Sequence, residues 1–300
     1  MRAGRVTRAR VHLALFTVAF LFSANYVVSK IGMHSFAPLS FAFLRVLGAA
    51  VLLNILVPPR GFTRRDLLFI AGLSVLGVLL NQSMFLAGLA LTSAHIAAIV
   101  MTTTPVFALI VAILLGLERA TATKIAGIAL AFAGALVVVG FEGMRGLTGS
   151  LAGTLLILGN CCAYATYLVV SKPLLERLAP ARVMSAMFAF GIPLMLPMAL
   201  PSLLREPWPS IPRAAWLSLA LVILGPTVIA YLLNAWTLRH AESSVVAAYI
   251  YVQPVLTAVM AWLILGETIR PVVALAALMI IAGVAVAGRT PNSERATPVT

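Results

Sequence analysis

Apolar residues run almost without a break from residue 11 to residue 288, interrupted only by short polar stretches. Ten segments can be marked out, at 11–33, 37–57, 67–89, 93–116, 121–141, 150–171, 182–203, 214–238, 242–265 and 269–288. Each is close to the ~20 residues that an α-helix needs to cross the hydrocarbon core of a bilayer. Of the 300 residues 62% are hydrophobic and only 10% charged, against about 25% charged in a soluble domain. A fold in water could not hide this much apolar surface. In lipid, backbone polar groups must be satisfied within each crossing segment, which favours helices. The chain is therefore expected to be an all-α polytopic membrane protein of ten transmembrane helices, with no soluble domain of any size. The first apolar segment exceeds the ~7–15 residue core of a secretory signal, so it is expected to stay as helix 1.

The formal net charge of +13 invites a nucleic-acid reading, but the basic residues are scattered among short loops. That spacing fits membrane topology better than phosphate binding, so no nucleic-acid partner is expected. With a cytoplasmic N-terminus, 15 of the 21 Lys and Arg residues fall on the cytoplasmic side and 5 on the other, with Arg45 inside a helix. Basic residues are retained inside during insertion. Both termini are thus expected in the cytoplasm: a basic stretch at 1–10 and a polar tail at 289–300. Trp208 and Trp216, near the outer ends of helices 7 and 8, suit interfacial anchoring. Adjacent Cys161 and Cys162 have neither disulfide nor metal-ligand spacing and read as small packing residues.

An internal repeat is written into the sequence. Val27-Val28-Ser29-Lys30 recurs as Val169-Val170-Ser171-Lys172, and Ala37-Pro38 recurs as Ala179-Pro180. Pro105, Glu118 and Ala133-Gly134 find partners in Pro254, Glu267 and Ala282-Gly283. A longer connection between helices 7 and 8 accounts for the change of offset. Each half, 11–141 and 150–288, then holds five helices. Five is odd, so the second half enters the membrane from the opposite side. Two inverted five-helix repeats are an architecture of secondary transporters, with the substrate site near midplane between the repeats.

With these residues in place the sequence resembles the drug/metabolite transporter superfamily, in its ten-helix EamA-type branch. The resemblance rests on Ser23-Ala24-Asn25-Tyr26-Val27-Val28-Ser29-Lys30 and on Pro38 through Arg45. It continues in Thr104-Pro105-Val106-Phe107 with Gly116-Leu117-Glu118, and in Gln253-Pro254-Val255 with Leu265-Gly266-Glu267. It covers about residues 11–288. It implies a central cavity lined mainly by helices 1, 3, 4, 6, 8 and 9, and export of amino acids or other metabolites. Within the superfamily the chain is most similar to bacterial aromatic amino acid exporters of the YddG type. Phe22-Ser23-Ala24 stands where the family commonly has Trp-Gly before its Ser/Asn motif, which weakens transfer of detail at that spot.

Polar side chains inside the spans give the candidate substrate site. Helix 6 carries Asn160, Tyr164, Tyr167 and Ser171 on one face. Helix 1 offers Asn25 and Ser29, helix 3 Asn81 and Gln82, and helix 4 His95 and Thr102. Helix 8 offers Tyr231 and Asn234, and helix 9 Tyr249, Gln253 and Thr257. Singly, such residues can be interhelical glue, worth ~0.6 kcal/mol each. As a set they suit a pore lining. Pro105 and Pro254 lie near the middle of helices 4 and 9 and are expected to act as paired hinges. Each frees the carbonyl four residues earlier, at Met101 and Ile250. Neighbouring threonines 102–104 could satisfy the first of these instead.

Arg45 is the one strongly basic residue well inside a span, with no carboxylate at its depth. Its partner is either a substrate carboxylate or backbone carbonyls, and helix 2 is peripheral in the family picture, which favours the structural role. His95 alone reads as a hydrogen-bonded spacer, and Glu118 and Glu267 as backbone-binding helix ends. Small residues Gly127, Ala131, Gly134, Gly283 and Ala287 permit close helix packing, and Gly225-Pro226 offers a flexing point in helix 8. All eight Asp and Glu residues fall at span ends, in loops or in the tail, so an acidic proton carrier is not expected. There is no His-Glu-x-x-His, no convincing Ser/His arrangement and no phosphate-binding Gly-rich loop. The expected function is export of neutral or aromatic amino acids, or related metabolites, across a bacterial inner membrane by alternating access. No catalytic residue, metal or cofactor is implied, and the chain is expected to work as a monomer among lipids. Hydrophobic-cation or drug export is the nearest alternative, and a membrane-embedded enzyme the alternative of a different class.

Overall fold

Ten helical spans follow one another in chain order, and among the described residues there is no β-strand. The computed structural model describes residues 8–117, 119–144, 148–238, 249–268 and 270–287. The first half comprises α1 (Arg8–Met33), α2 (Pro38–Leu56), α3 (Arg64–Leu91), α4 (Ala94–Leu114) and α5 (Ala122–Met144). The second comprises α6 (Thr148–Arg177), α7 (Pro180–Arg205), α8 (213–238), α9 (249–265) and α10 (Pro271–Ala287). Seven of the ten are long and apolar enough to cross a bilayer on their described residues, and α5, α9 and α10 contribute shorter apolar stretches. Leu13, Ile55, Leu68, Leu204, Trp262 and Leu278 are among many large apolar side chains left exposed. Asn25, Arg45, Gln82 and Asn160 are buried. Lipid outside and polar groups inside explain both sets.

The ends of the spans have local causes. Thr63 and Asp66 form a capping box that starts α3 three residues before its apolar run. Prolines at the first turn of α2 and α7 supply the φ that a helix start needs. α6 runs past Lys172-Pro173 to Arg177, whose guanidinium pairs with Asp66 of α3. The start expected for helix 9 at residues 242–248, Glu118, and the termini at 1–7 and 288–300 lie outside the described residues.

Packing between the halves obeys their exchange. α2 lies against α7 and α5 against α10. α3 packs on α6 as α8 packs on α1, and α4 packs on α6 as α9 packs on α1. Swapping the two halves turns each contact into another that is present. The α5–α10 crossing needs Gly134 and Gly283, which the repeat pairs with each other. A Cβ on Gly134 would sit 2.9 Å from the carbonyl oxygen of Ala276, and one on Gly283 would sit 2.6 Å from that of Gly127.

Two irregularities also recur. α3 opens into a π-helical stretch at Val75–Leu80 and α8 into another at Ile223–Ile229. With the 149-residue offset of Pro105 and Pro254, these stretches coincide. α4 is not one continuous helix: Ala94–Met101 ends in a turn at Thr102-Thr103, and Thr104–Leu114 resumes the span. α9 likewise begins as a 3₁₀ turn at Tyr249–Val252 before Gln253–Leu265.

A candidate substrate cavity between the repeats

These irregular turns surround a cavity of about 400 Å³. Its walls come from α1, α3, α4, α6, α8 and α9, with Arg45 reaching in from α2. Equivalent residues of the two halves face each other across it: Val18 and Asn160, Phe22 and Tyr164, Tyr26 and Leu168, Gln82 and Tyr231, Thr104 and Gln253. The cavity therefore lies between the repeats, while its chemistry does not repeat.

Asn81 and Gln82 follow directly on the π-helical stretch of α3, and Tyr231 on that of α8. A π turn carries an extra residue and is frequently found at functional sites. The amides are tied to one another. Asn160 Nδ2 donates to the Asn81 carbonyl at 2.7 Å, and Gln82 Nε2 donates to Asn81 Oδ1 at 3.0 Å. Rings supply the apolar walls. Phe22 meets Tyr231 edge-on at 6.0 Å between centroids, and Tyr26 meets Phe85 at 5.4 Å. Such edge-to-face pairs are favoured by the ring quadrupoles. Tyr249 shares a 2.9 Å hydrogen bond with His12 Nδ1 of α1.

At Pro105 the threonines fill the role that the sequence left open to them. Thr102, Thr103 and Thr104 each donate from the hydroxyl to the carbonyl three residues earlier, at 2.6, 2.7 and 2.7 Å. Thr104 thereby takes up the Met101 carbonyl that Pro105 frees. That carbonyl already has a partner and is not an idle acceptor for a substrate. Pro105 and Pro254 each stand in the first turn of a half-span, where a missing N–H costs little.

One end of the bundle is tied across elements distant in sequence. Glu267, just past α9, accepts from the Ala94 N–H at 2.9 Å and from His95 Nδ1 at 2.8 Å. Lys30 of α1 stands 3.3 Å from the same carboxylate. Burial works against the charged carboxylate, but the His95 bond, the Ala94 and His95 N–H groups and Lys30 outweigh it, taking its pKa down to about 2. An anion here also suits the N-terminus of the first half of α4. At the opposite end of the bundle Asp66, Thr63 and Arg177 form the corresponding tie between α3 and α6.

The EamA-like transporter family matches residues 9–140 and, a second time, residues 151–289. The chain belongs to that family. Both halves of this EamA transporter thus carry the family pattern separately. Relatives share it along nearly their whole length. An uncharacterized transporter of Archaeoglobus fulgidus is 28% identical over 92% of this chain and 96% of its own. The inner membrane transporter YedA of Escherichia coli is 26% identical over 86% and 84%. A probable terminal-alkyne amino-acid exporter of Streptantibioticus cattleyicolor is 28% identical over 94% of each. A solved crystal structure at 19% identity superposes with a TM-score of 0.63 over 94% of this chain and 98% of that one, which shows the same fold. The protein is a multi-pass membrane transporter.

Of the residues singled out from the sequence, Asn25, Asn81, Gln82, Asn160, Tyr164, Tyr231, Tyr249 and Gln253 line the transporter's cavity, as does Pro105. Three others sit elsewhere. His95 is held by Glu267, and Thr102 by the carbonyl of Ile99. Tyr167 stacks behind Tyr164 at 5.7 Å and points its hydroxyl to Met184 Sδ at 3.4 Å. The side chain of Asn234 lies outside the described residues. Leu15, Val18, Phe22, Phe85 and Ala108 are among the apolar residues of the wall. Apolar wall residues carry no signal that separates them from ordinary core, so pattern alone could not find them.

Proposed function

We propose that this transporter exports neutral or aromatic amino acids, or closely related small metabolites, from the cytoplasm across a bacterial inner membrane by alternating access. The observation that carries the reading is the make-up of the wall: amides and phenols set among aromatic rings, with no acidic side chain among the described residues. Amides offer both donors and acceptors, which suits a group with an ammonium and a carboxylate. Aromatic faces suit an apolar or aromatic side chain. A cavity of about 400 Å³ accommodates a molecule of that size. The Streptantibioticus cattleyicolor relative, named as an amino-acid exporter, supports the same class of cargo. A hydrophobic-cation exporter would want a carboxylate in the wall, and a carrier of phosphorylated sugars a cluster of Lys and Arg.

Alternating access is supported by the break in α4, by the 3₁₀ turn that leads into Gln253–Leu265 of α9, and by the tie between Lys30, Glu267 and His95. At the opposite end of the bundle Asp66, Thr63 and Arg177 tie α3 to α6. One end closes through the first set while the other end admits substrate, and the second set closes in turn. With no acid in the wall, the driving force is the gradient of the substrate itself. Both termini lie in the cytoplasm, which places Lys30 and Glu267 on the outer side. The test is an export screen: cells overexpressing the protein are loaded with the twenty amino acids, and the medium is assayed over time. Faster appearance of Phe, Trp, Tyr, Met or Leu than in control cells is the expected result. Faster export of phosphorylated sugars or organic cations, with amino acids unchanged, would overturn the assignment.

A further inference from the structure

The sequence leaves Arg45 between a substrate carboxylate and backbone carbonyls and favours a structural role, yet its side chain reaches the cavity wall. It is 97% buried, with a relative exposure of 3%. Nε donates to the Thr227 hydroxyl at 2.9 Å, within the π-helical stretch of α8. Thr227 itself donates to the carbonyl of Val222, five residues back, at 2.8 Å. This second bond fixes Thr227 and, through it, the plane of the guanidinium. Nη1 is buried and has no partner. No ion pair among the described residues reaches Arg45. A cation at this depth is costly unless something of opposite charge meets it.

Two further wall residues leave polar atoms unmatched, and these are of the opposite kind. Asn160 gives its N–H to the Asn81 carbonyl, an acceptor only, so the orientation of its amide is settled and Oδ1 is left over. Gln82 gives its N–H to Asn81 Oδ1 and is left with Oε1. Three residues of the wall thus hold, just beneath its surface, one unpartnered cationic donor and two unpartnered acceptors. The repeat does not reproduce these groups. Met187 stands where Arg45 would recur, and Val18 stands opposite Asn160.

We propose that Arg45 reads the carboxylate of the substrate, while Asn160 and Gln82 receive its ammonium group. The substrate is then a zwitterion held in one orientation, with its side chain against the aromatic wall. Guanidinium pairs with carboxylate through two parallel hydrogen bonds, and Nη1 is the free half of such a fork. This inference deepens the function proposed above and rests on the cavity being the substrate site.

The test uses the purified full chain in detergent and ligand-induced thermal stabilisation, read as apparent affinity. The probes are L-phenylalanine, L-methionine and L-leucine, each beside its decarboxylated amine and its amide. The wild type should bind an amino acid about 10- to 100-fold tighter than its amine or amide, the range set by one charge-assisted bond. Arg45→Met, which installs the residue that the second half carries, should lose that margin, chiefly through weaker binding of the amino acid. Arg45→Lys should fall between. Should none of the three amino acids bind the wild type, the amino-acid reading itself fails, and this inference with it. If amino acids bind but their margin over the amines survives Arg45→Met, Arg45 merely ties α2 to α8, and only the present inference is overturned.

Discussion

Removing the charge of Glu267 should open one end of the transporter and leave the other untouched. One oxygen of the carboxylate accepts from Ala94 N at 2.9 Å and faces Lys30 Nζ at 3.3 Å. The other accepts from His95 Nδ1 at 2.8 Å and from His95 N at 3.3 Å. Glu267→Gln keeps one acceptor oxygen and turns an N–H2 toward groups that are themselves donors. A hydrogen bond to a charged partner is worth about 1.5–3 kcal/mol and a neutral one about 1. The Lys30 pair is partly exposed and adds less than about 1 kcal/mol. The closed end should therefore lose about 2 kcal/mol, a shift of roughly 30-fold toward the open form. A cysteine at Ala108, in the cavity wall, reports this when Cys161 and Cys162 are replaced by alanine. Labelling by a membrane-impermeant maleimide follows the open population while opening and closing are fast. In E267Q it should accelerate about 30-fold from the Lys30 side and stay constant from the Arg177 side. The depressed pKa supplies a second arm. A carboxyl lowered from the ordinary 4.5 to about 2 contributes fully above 4.5 and loses its contribution as pH falls toward 2. Labelling of the parent protein, taken relative to a fully exposed cysteine at the same pH because only the thiolate reacts, should be flat from pH 8 to pH 5 and rise only in stronger acid. Equal labelling of the parent and E267Q from the Lys30 side would refute the assignment of this cluster as a closure.

Pro105→Ala and Pro254→Ala should each slow substrate exchange without lowering folded yield, because the breaks they sustain let the half-spans move separately; exchange at the parental rate in both variants would sink the hinge. Gly283→Ala places a methyl 2.6 Å from the Gly127 carbonyl oxygen. It should cost about 1–3 kcal/mol, seen as a lower midpoint of thermal unfolding in detergent, whereas Cys162→Ala at an exposed site should leave that midpoint unchanged.

Much of this architecture is legible in the sequence for a physical reason. Lipid demands ~20-residue apolar helices, so the number and order of spans are set by solvent rather than by subtle propensities. Residues such as Asn160 and Gln82 stand out because a polar group in such a span needs a cause. What the sequence does not show depends on contacts between distant elements. Glu267 caps a helix that begins 173 residues earlier in the chain, and no local pattern announces that. The π-helical stretches escaped notice, although Gly225-Pro226 marks one of them and the repeat offset then points to Gly77 in the other. Arg45 was visible as a buried charge, but only the free Nη1 beside the fixed Nε separates a binding group from a strut. Thr104 shows the converse: its hydroxyl fills the gap that Pro105 leaves, so a feature that reads as an open acceptor is a closed one.

Counterflow in proteoliposomes tests the central claim most directly. Vesicles holding the purified protein are loaded with a large excess of unlabelled L-phenylalanine, and trace labelled L-phenylalanine is added outside. A carrier that alternates between two faces concentrates the label transiently before it decays, with no ion gradient or nucleotide supplied. The account predicts that overshoot, its suppression by L-methionine and L-leucine, and its persistence when pH is equal on both sides. Label that only equilibrates passively, or an overshoot driven by phosphorylated sugars or organic cations and not by amino acids, would contradict it.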